Sequence, residues 1–174
     1  MVSPRIVVIG PPGAGKTTVG QLLAARLGVA FRDVDHDIEA TAGKSIADIF
    51  TGDGEPVFRE LEENAVATGL AEHEGILALG GGAILSERTR ARLAGHVVLF
   101  LNVGMTAGIQ RTGLSTARPL LSGVNPRATF KALLDARLPL YREVARIEVL
   151  TDELDPAQVV DEAMRALEHA SERQ

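Results

Sequence analysis

The sequence predicts an α/β domain built on a parallel sheet, and three observations carry that reading. Short apolar, β-branched runs alternate along the 174 residues with longer segments of helical periodicity. The connections between runs are long enough for the crossovers that parallel strands require, and helices fill them. A glycine-rich turn, GPPGAGKT, stands directly between the first apolar run and the first helical segment. In such a sheet, ligands bind outside the carboxyl ends of the strands.

Taken in order, residues 5–9 (RIVVI), 30–34 (AFRDV), 76–79 (ILAL), 97–101 (VVLFL) and 147–150 (IEVL) predict five strands. Helical periodicity covers 16–27, 55–71, 88–93 and 127–145. With helices on both faces, this is a three-layer α/β/α sandwich. No repeat, low-complexity tract or Pro-rich linker divides the chain, so residues 1–174 are expected to form one domain. The stretch 111–126, RTGLSTARPLLSGVNP, is rich in Gly, Ser, Thr and Pro and long for a plain connection, which predicts a functional loop. Beyond about residue 168 a polar, fraying tail is expected.

Composition narrows the partners. Hydrophobic content of 45% suits a soluble globular protein, and a formal net charge of −5 disfavours nucleic acid or an anionic membrane as a partner. There is no cysteine, so thiolate and disulfide chemistry are excluded. No uncharged apolar stretch approaches the roughly 20 residues of a membrane helix, and no signal-peptide layout precedes the glycine-rich turn. A cytoplasmic location and a monomer are expected. The histidines at 36, 73, 96 and 169 lack metal-ligand spacing, which leaves them capping or solvated roles.

Residues 10–17 match the G-x-x-x-x-G-K-[ST] phosphate loop in the context it needs, after a strand and before a helix. Backbone N–H groups along Gly13, Ala14, Gly15, Lys16, Thr17 and Thr18 would cradle phosphates at a helix N-terminus. Lys16 would reach the outer phosphates, and the Thr17 hydroxyl could ligate Mg²⁺.

Two further signals lie in FRDVDHD and GEPVFRELEEN. Asp33 and Asp35, two apart at the end of the second strand, are expected to face the same crevice, where a cation near Asp33 and a substrate hydroxyl on Asp35 would relieve their repulsion. The competing structural role is a cap for a helix starting near His36. Arg59 belongs to a helix with the apolar stripe Phe58, Leu61 and Ala65, and it either serves a site or joins an exposed ladder with Glu55, Glu62 and Glu63. Arg137 falls on the apolar stripe of Phe130, Leu133 and Leu134, so it needs a distant carboxylate, an anionic ligand or an escape to solvent. The run GILALGGGAIL surrenders three side chains at Gly80, Gly81 and Gly82, which requires either a tight turn or a close approach to the backbone.

The phosphate loop, Asp33-Val34-Asp35, Phe58-Arg59-Glu60-Leu61-Glu62, the glycine triplet, Arg118-Pro119-Leu120-Leu121 and Arg137-Leu138-Pro139-Leu140-Tyr141 occur in one order. From about residue 5 to about 160, that ordered set resembles the shikimate kinases. The resemblance implies a P-loop kinase with a mobile lid, phosphorylating the 3-hydroxyl of shikimate with ATP and Mg²⁺. It further implies that Arg59 and Arg137 bind the substrate carboxylate and that Asp35 holds the ring hydroxyls and takes the proton of the attacking one. Asp33 and Thr17 would place Mg²⁺, and the triplet would line the substrate floor where other phosphate-loop enzymes carry an aspartate. The substrate-binding region would span about 35–62. The lid, about 111–126, would bring Arg118 onto the phosphates and Arg111 against the nucleotide. Asp155-Pro156 is similar to the family's adenine-side loop, although Asp-Pro is equally a helix start with Pro at its first position. Two other readings stay open: a gluconate kinase, and a nucleotide-dependent switch or ATPase without a small acceptor.

Overall fold

The computed structural model describes residues 2–104 and 126–172. Its sheet contains β1 (Ile6–Ile9), β2 (Phe31–Asp33), β3 (Ile76–Ala78), β4 (Val98–Asn102) and β5 (Ile147–Leu150), all parallel, in the order β2-β3-β1-β4-β5. The chain starts in the central strand, with Val7 between Leu77 of β3 and Val98 of β4. It builds one half of the sheet and then crosses to the other. The strand order therefore reverses at β1, and a crevice opens beyond the carboxyl end of that strand.

The helices are α1 (Lys16–Leu27), α2 (Val34–Ala42), α3 (Ile46–Gly52), α4 (Glu55–Glu72), α5 (Glu87–Leu93), α6 (Pro126–Val144) and α7 (Pro156–Glu172), with a 3₁₀ turn at Ala83–Leu85. Strand side chains alternate between two cores, as a period of two demands. Ile6 and Val8 pack with Val19 and Leu23 of α1 and Val160 and Ala163 of α7. Val7 and Ile9 face the other way, onto Ile38, Ile49, Phe58 and Leu93. Burying each such side chain contributes roughly 1.5–3 kcal/mol, and both faces of the central strands are needed to seat the two helical layers.

Departures from the sequence expectations have local causes. The second strand ends at Asp33, and Val34 already belongs to α2, because the Asp33 side chain caps that helix by accepting from the Asp35 N–H at 2.9 Å. Helix α2, of 9 residues, matches the helix start weighed near His36 but begins at Val34, and the 7-residue α3 lies outside the expected helical segments. The expected tail from about 168 is helical, since α7 continues to Glu172. The 111–126 loop lies outside the described residues except for Pro126, which opens α6. Edge strand β5 buries Ile147 and Val149 but exposes Leu150, and its Glu148 accepts from Arg142 and Asn102. Charge on that edge disfavours further strand pairing. Among the described residues no helix is long and apolar enough to cross a membrane.

Candidate active site

One crevice of about 830 Å³ runs from the phosphate loop to the far side of the glycine triplet. Its first end is made mostly of backbone. Gly13 and Gly15 take φ values of 83° and 87°, which side chains rarely adopt, and they turn the loop so that α1 begins at Lys16. The Lys16 ammonium donates to the carbonyls of Gly10 and Pro11 at 2.7 and 3.1 Å, folding back over its own loop. The Thr17 hydroxyl donates to Asp33 at 3.3 Å, so the end of β2 meets the start of α1.

The second end is made of side chains from α2, α4 and α6 gathered around the triplet. Asp35 stands on the first turn of α2, not on the strand, so its approach to the crevice comes from the helix start rather than from strand alternation. That corrects the expected geometry while keeping both aspartates in the crevice. Arg59 donates to Glu62 at 2.8 Å and to Glu55 at 3.3 Å, and its guanidinium lies 5.2 Å from the Phe58 ring centre and 6.0 Å from that of Phe50. Arg137 is only 6% exposed. Its neighbour Asp135 is engaged instead by Lys131 at 3.1 Å, while the Arg137 charge acts on Glu62 and on Tyr141 and pulls against the upward shift of both groups.

Glu62 differs from its expected place in an exposed ladder. It is 3% exposed, and burial pushes its carboxyl pKa up against the opposing pull of Arg59 and Arg137. Tyr141 is fully buried, stacks on Phe100 with centroids 4.9 Å apart, and donates its hydroxyl to the Gly81 carbonyl. Burial raises that phenol to about 12, so it remains a donor at any working pH.

The triplet is explained by close approach. None of its glycines needs a left-handed conformation. A Cβ on Gly80 would lie 2.6 Å from the Asp35 carboxylate and 2.9 Å from that of Glu62. One on Gly82 would meet the Arg59 guanidinium, and one on Gly81 the Pro12 ring at 3.0 Å. Side chains of the site itself occupy the space that the missing methyl groups leave.

The family model for shikimate kinase matches residues 12–168. The chain belongs to the shikimate kinase family. A curated shikimate kinase from Saccharopolyspora erythraea is 71% identical over 160 residues, covering 92% of this chain and 91% of that one. A solved shikimate kinase from Acinetobacter baumannii, in complex with shikimate, superposes with a TM-score of 0.92 at 36% identity, covering 98% and 95% of the two chains. A gluconokinase from Sinorhizobium meliloti, at 18% identity and a TM-score of 0.55 with 98% and 95% covered, shares the fold alone. As a shikimate kinase family member the chain is a kinase, a phosphotransferase that uses ATP.

In this shikimate kinase family member, the described part of the expected site is gathered in one place. Gly13, Ala14, Gly15, Lys16, Thr17, Thr18, Asp33, Asp35, Arg59, Gly80, Gly81, Gly82, Arg137 and Pro156 all line the crevice. Arg111 and Arg118 lie outside the described residues. Asp155 caps α7 by accepting from the Gln158 N–H at 2.8 Å, which is the helix-start reading, and Pro156 borders the crevice. Sequence reasoning missed Glu62 and Tyr141 as site groups. The missed signal was position: both fall one helical turn from an arginine already singled out, Glu62 three after Arg59 and Tyr141 four after Arg137.

Proposed function

We infer that the crevice holds ATP at its phosphate-loop end and shikimate at its side-chain end, and that the γ-phosphate passes to the 3-hydroxyl, giving shikimate 3-phosphate and ADP. What supports this most directly is the pairing, within one crevice, of a phosphate loop with the half-buried Arg59 and the buried Arg137 around the buried Glu62 carboxylate. Arg59 already shares its charge with Glu62 and Glu55, and the buried Arg137 adds a second guanidinium for an arriving carboxylate. Guanidinium forks suit that planar anion.

The residues divide the work. Loop N–H groups, Lys16 and the start of α1 bind and neutralise the phosphates. Arg59 and Arg137 take the carboxylate, the triplet lines the floor, and Asp35 orients the attacking hydroxyl and accepts its proton. Thr17 and Asp33 would hold Mg²⁺, which when bound adds charge neutralisation on the phosphates. Two adjacent oxygen donors 3.3 Å apart, with no larger acidic cluster among the described residues, fit an ion that keeps most ligands as water and phosphate oxygen. Arg118 and Arg111 belong over the phosphates and the nucleotide, and Pro156 on the adenine side. The reading assigns a cytoplasmic monomer without a nucleic-acid or membrane partner, and the net charge of −5 supports the exclusion of nucleic acid.

The test is ADP release from Mg-ATP with shikimate, with gluconate and with no acceptor, for the natural protein and for Asp35→Asn. Release should depend on shikimate and fall by roughly 10²–10⁴ in the variant. Equal release without an acceptor would favour the nucleotide-switch reading, and release with gluconate alone would reassign the substrate.

A further inference from the structure

We propose that Tyr141 is a positioning residue for the acceptor, its hydroxyl tying α6, the helix that carries Arg137, to the backbone of the glycine triplet. The proposal rests on the reading of this end of the crevice as the shikimate site. A phenol has one proton to give and lone pairs to receive. Tyr141 gives its proton to the Gly81 carbonyl, from a place one helical turn beyond Arg137 on α6. The hydroxyl thus joins α6 to the loop after β3, two segments 60 residues apart in the chain.

The consequence follows from peptide geometry. In a trans peptide the carbonyl and the next N–H point in opposite directions. Holding the Gly81 carbonyl on Tyr141 therefore turns the Gly82 N–H away from the phenol, and Gly82 lines the crevice. A glycine triplet has no side chains of its own to fix that peptide plane. The ring supplies the rigidity instead, since it is 1% exposed and stacked on Phe100 at an interplanar angle of 18°. Removal of the hydroxyl leaves the Gly81 carbonyl without that donor and the peptide plane without its anchor on α6.

Tyr141→Phe keeps the ring, the stacking and nearly all of the volume. Steady-state kinetics should show the KM for shikimate rising about ten-fold, with the KM for ATP unchanged and kcat within about two-fold, as expected for the loss of one hydrogen bond of about 1–1.5 kcal/mol. A residue that serves stability alone would lower the melting temperature and leave the shikimate KM in place, and that result would overturn the proposal. Equal weakening toward both substrates would overturn it as well. A natural protein that fails to phosphorylate shikimate would instead overturn the substrate reading. A second measurement needs no substitution, because Tyr141 is the chain's one tyrosine. With 3-fluorotyrosine incorporated there, its single fluorine resonance should shift when shikimate is added and stay still with ADP. A resonance indifferent to shikimate would count against the hydroxyl's role.

Discussion

The two ends of the crevice solve the same problem, holding an anion, with different materials. At the phosphate end a contiguous octapeptide, residues 10–17, presents backbone N–H groups and one lysine, and its conformation is set locally by Gly13 and Gly15. At the acceptor end, side chains from α2, α4 and α6 converge on the glycine triplet: Arg59 is held by Glu62, Asp35 lies beside Gly80, and Tyr141, on the same helix as Arg137, donates to the Gly81 carbonyl. Backbone recognition suits phosphates, which many enzymes share. Side-chain recognition permits a choice among acceptors, because it can be altered piece by piece, and it makes that end sensitive to single methyl groups.

That contrast can be broken most forcefully at Lys16. Lys16→Ala should reduce kcat by roughly 10²–10³ through lost charge stabilisation, while calorimetry with shikimate alone should give an unchanged affinity. A matching loss of shikimate affinity would mean that the two ends are not separable. The reverse experiment is Gly82→Ala. Its methyl group meets the Arg59 guanidinium, the far end of a flexible side chain, so the protein should fold, but Arg59 must move. The KM for shikimate should rise about ten-fold, the loss of one charge-assisted contact, with the KM for ATP unaffected.

The smallest effect concerns Glu62. Burial raises its pKa, so the folded state keeps its proton to higher pH than the unfolded chain does. Its contribution to stability is therefore fullest below the ordinary carboxylate value and declines as pH rises through the raised one. Thermal melts across that window should show this decline in the natural protein and lose that component in Glu62→Gln. Parallel curves would place Glu62 in a more solvated setting than its 3% exposure describes.

The same contrast explains what could be read from sequence. The phosphate loop is local, so its residues, its strand and its helix were all legible from spacing. The inner strands β1, β3 and β4 were legible for a similar reason, because runs buried on both faces stay apolar. The acceptor end is assembled across more than 100 residues of chain, and only the ordered resemblance to a family connected Arg59 with Arg137. Glu62 was misread because a glutamate between charged helical neighbours looks exposed in one dimension, and its burial is created by Gly80 and Arg137 from elsewhere. Asp33 and Asp35 were read on strand alternation, whereas a single capping hydrogen bond ended the strand one residue earlier and put Asp35 on a helix. Local hydrogen bonding overrode the period-two pattern there.

The central claim is that the guanidinium pair of Arg59 and Arg137 defines the acceptor end. The most direct measurement is a crystal structure of this chain with ADP and shikimate bound. The account predicts the shikimate carboxylate against both guanidinium groups, a ring hydroxyl on Asp35 and ADP phosphates in the loop at residues 10–17. A carboxylate bound away from both arginines, or a ring that leaves Asp35 out of reach, would contradict it.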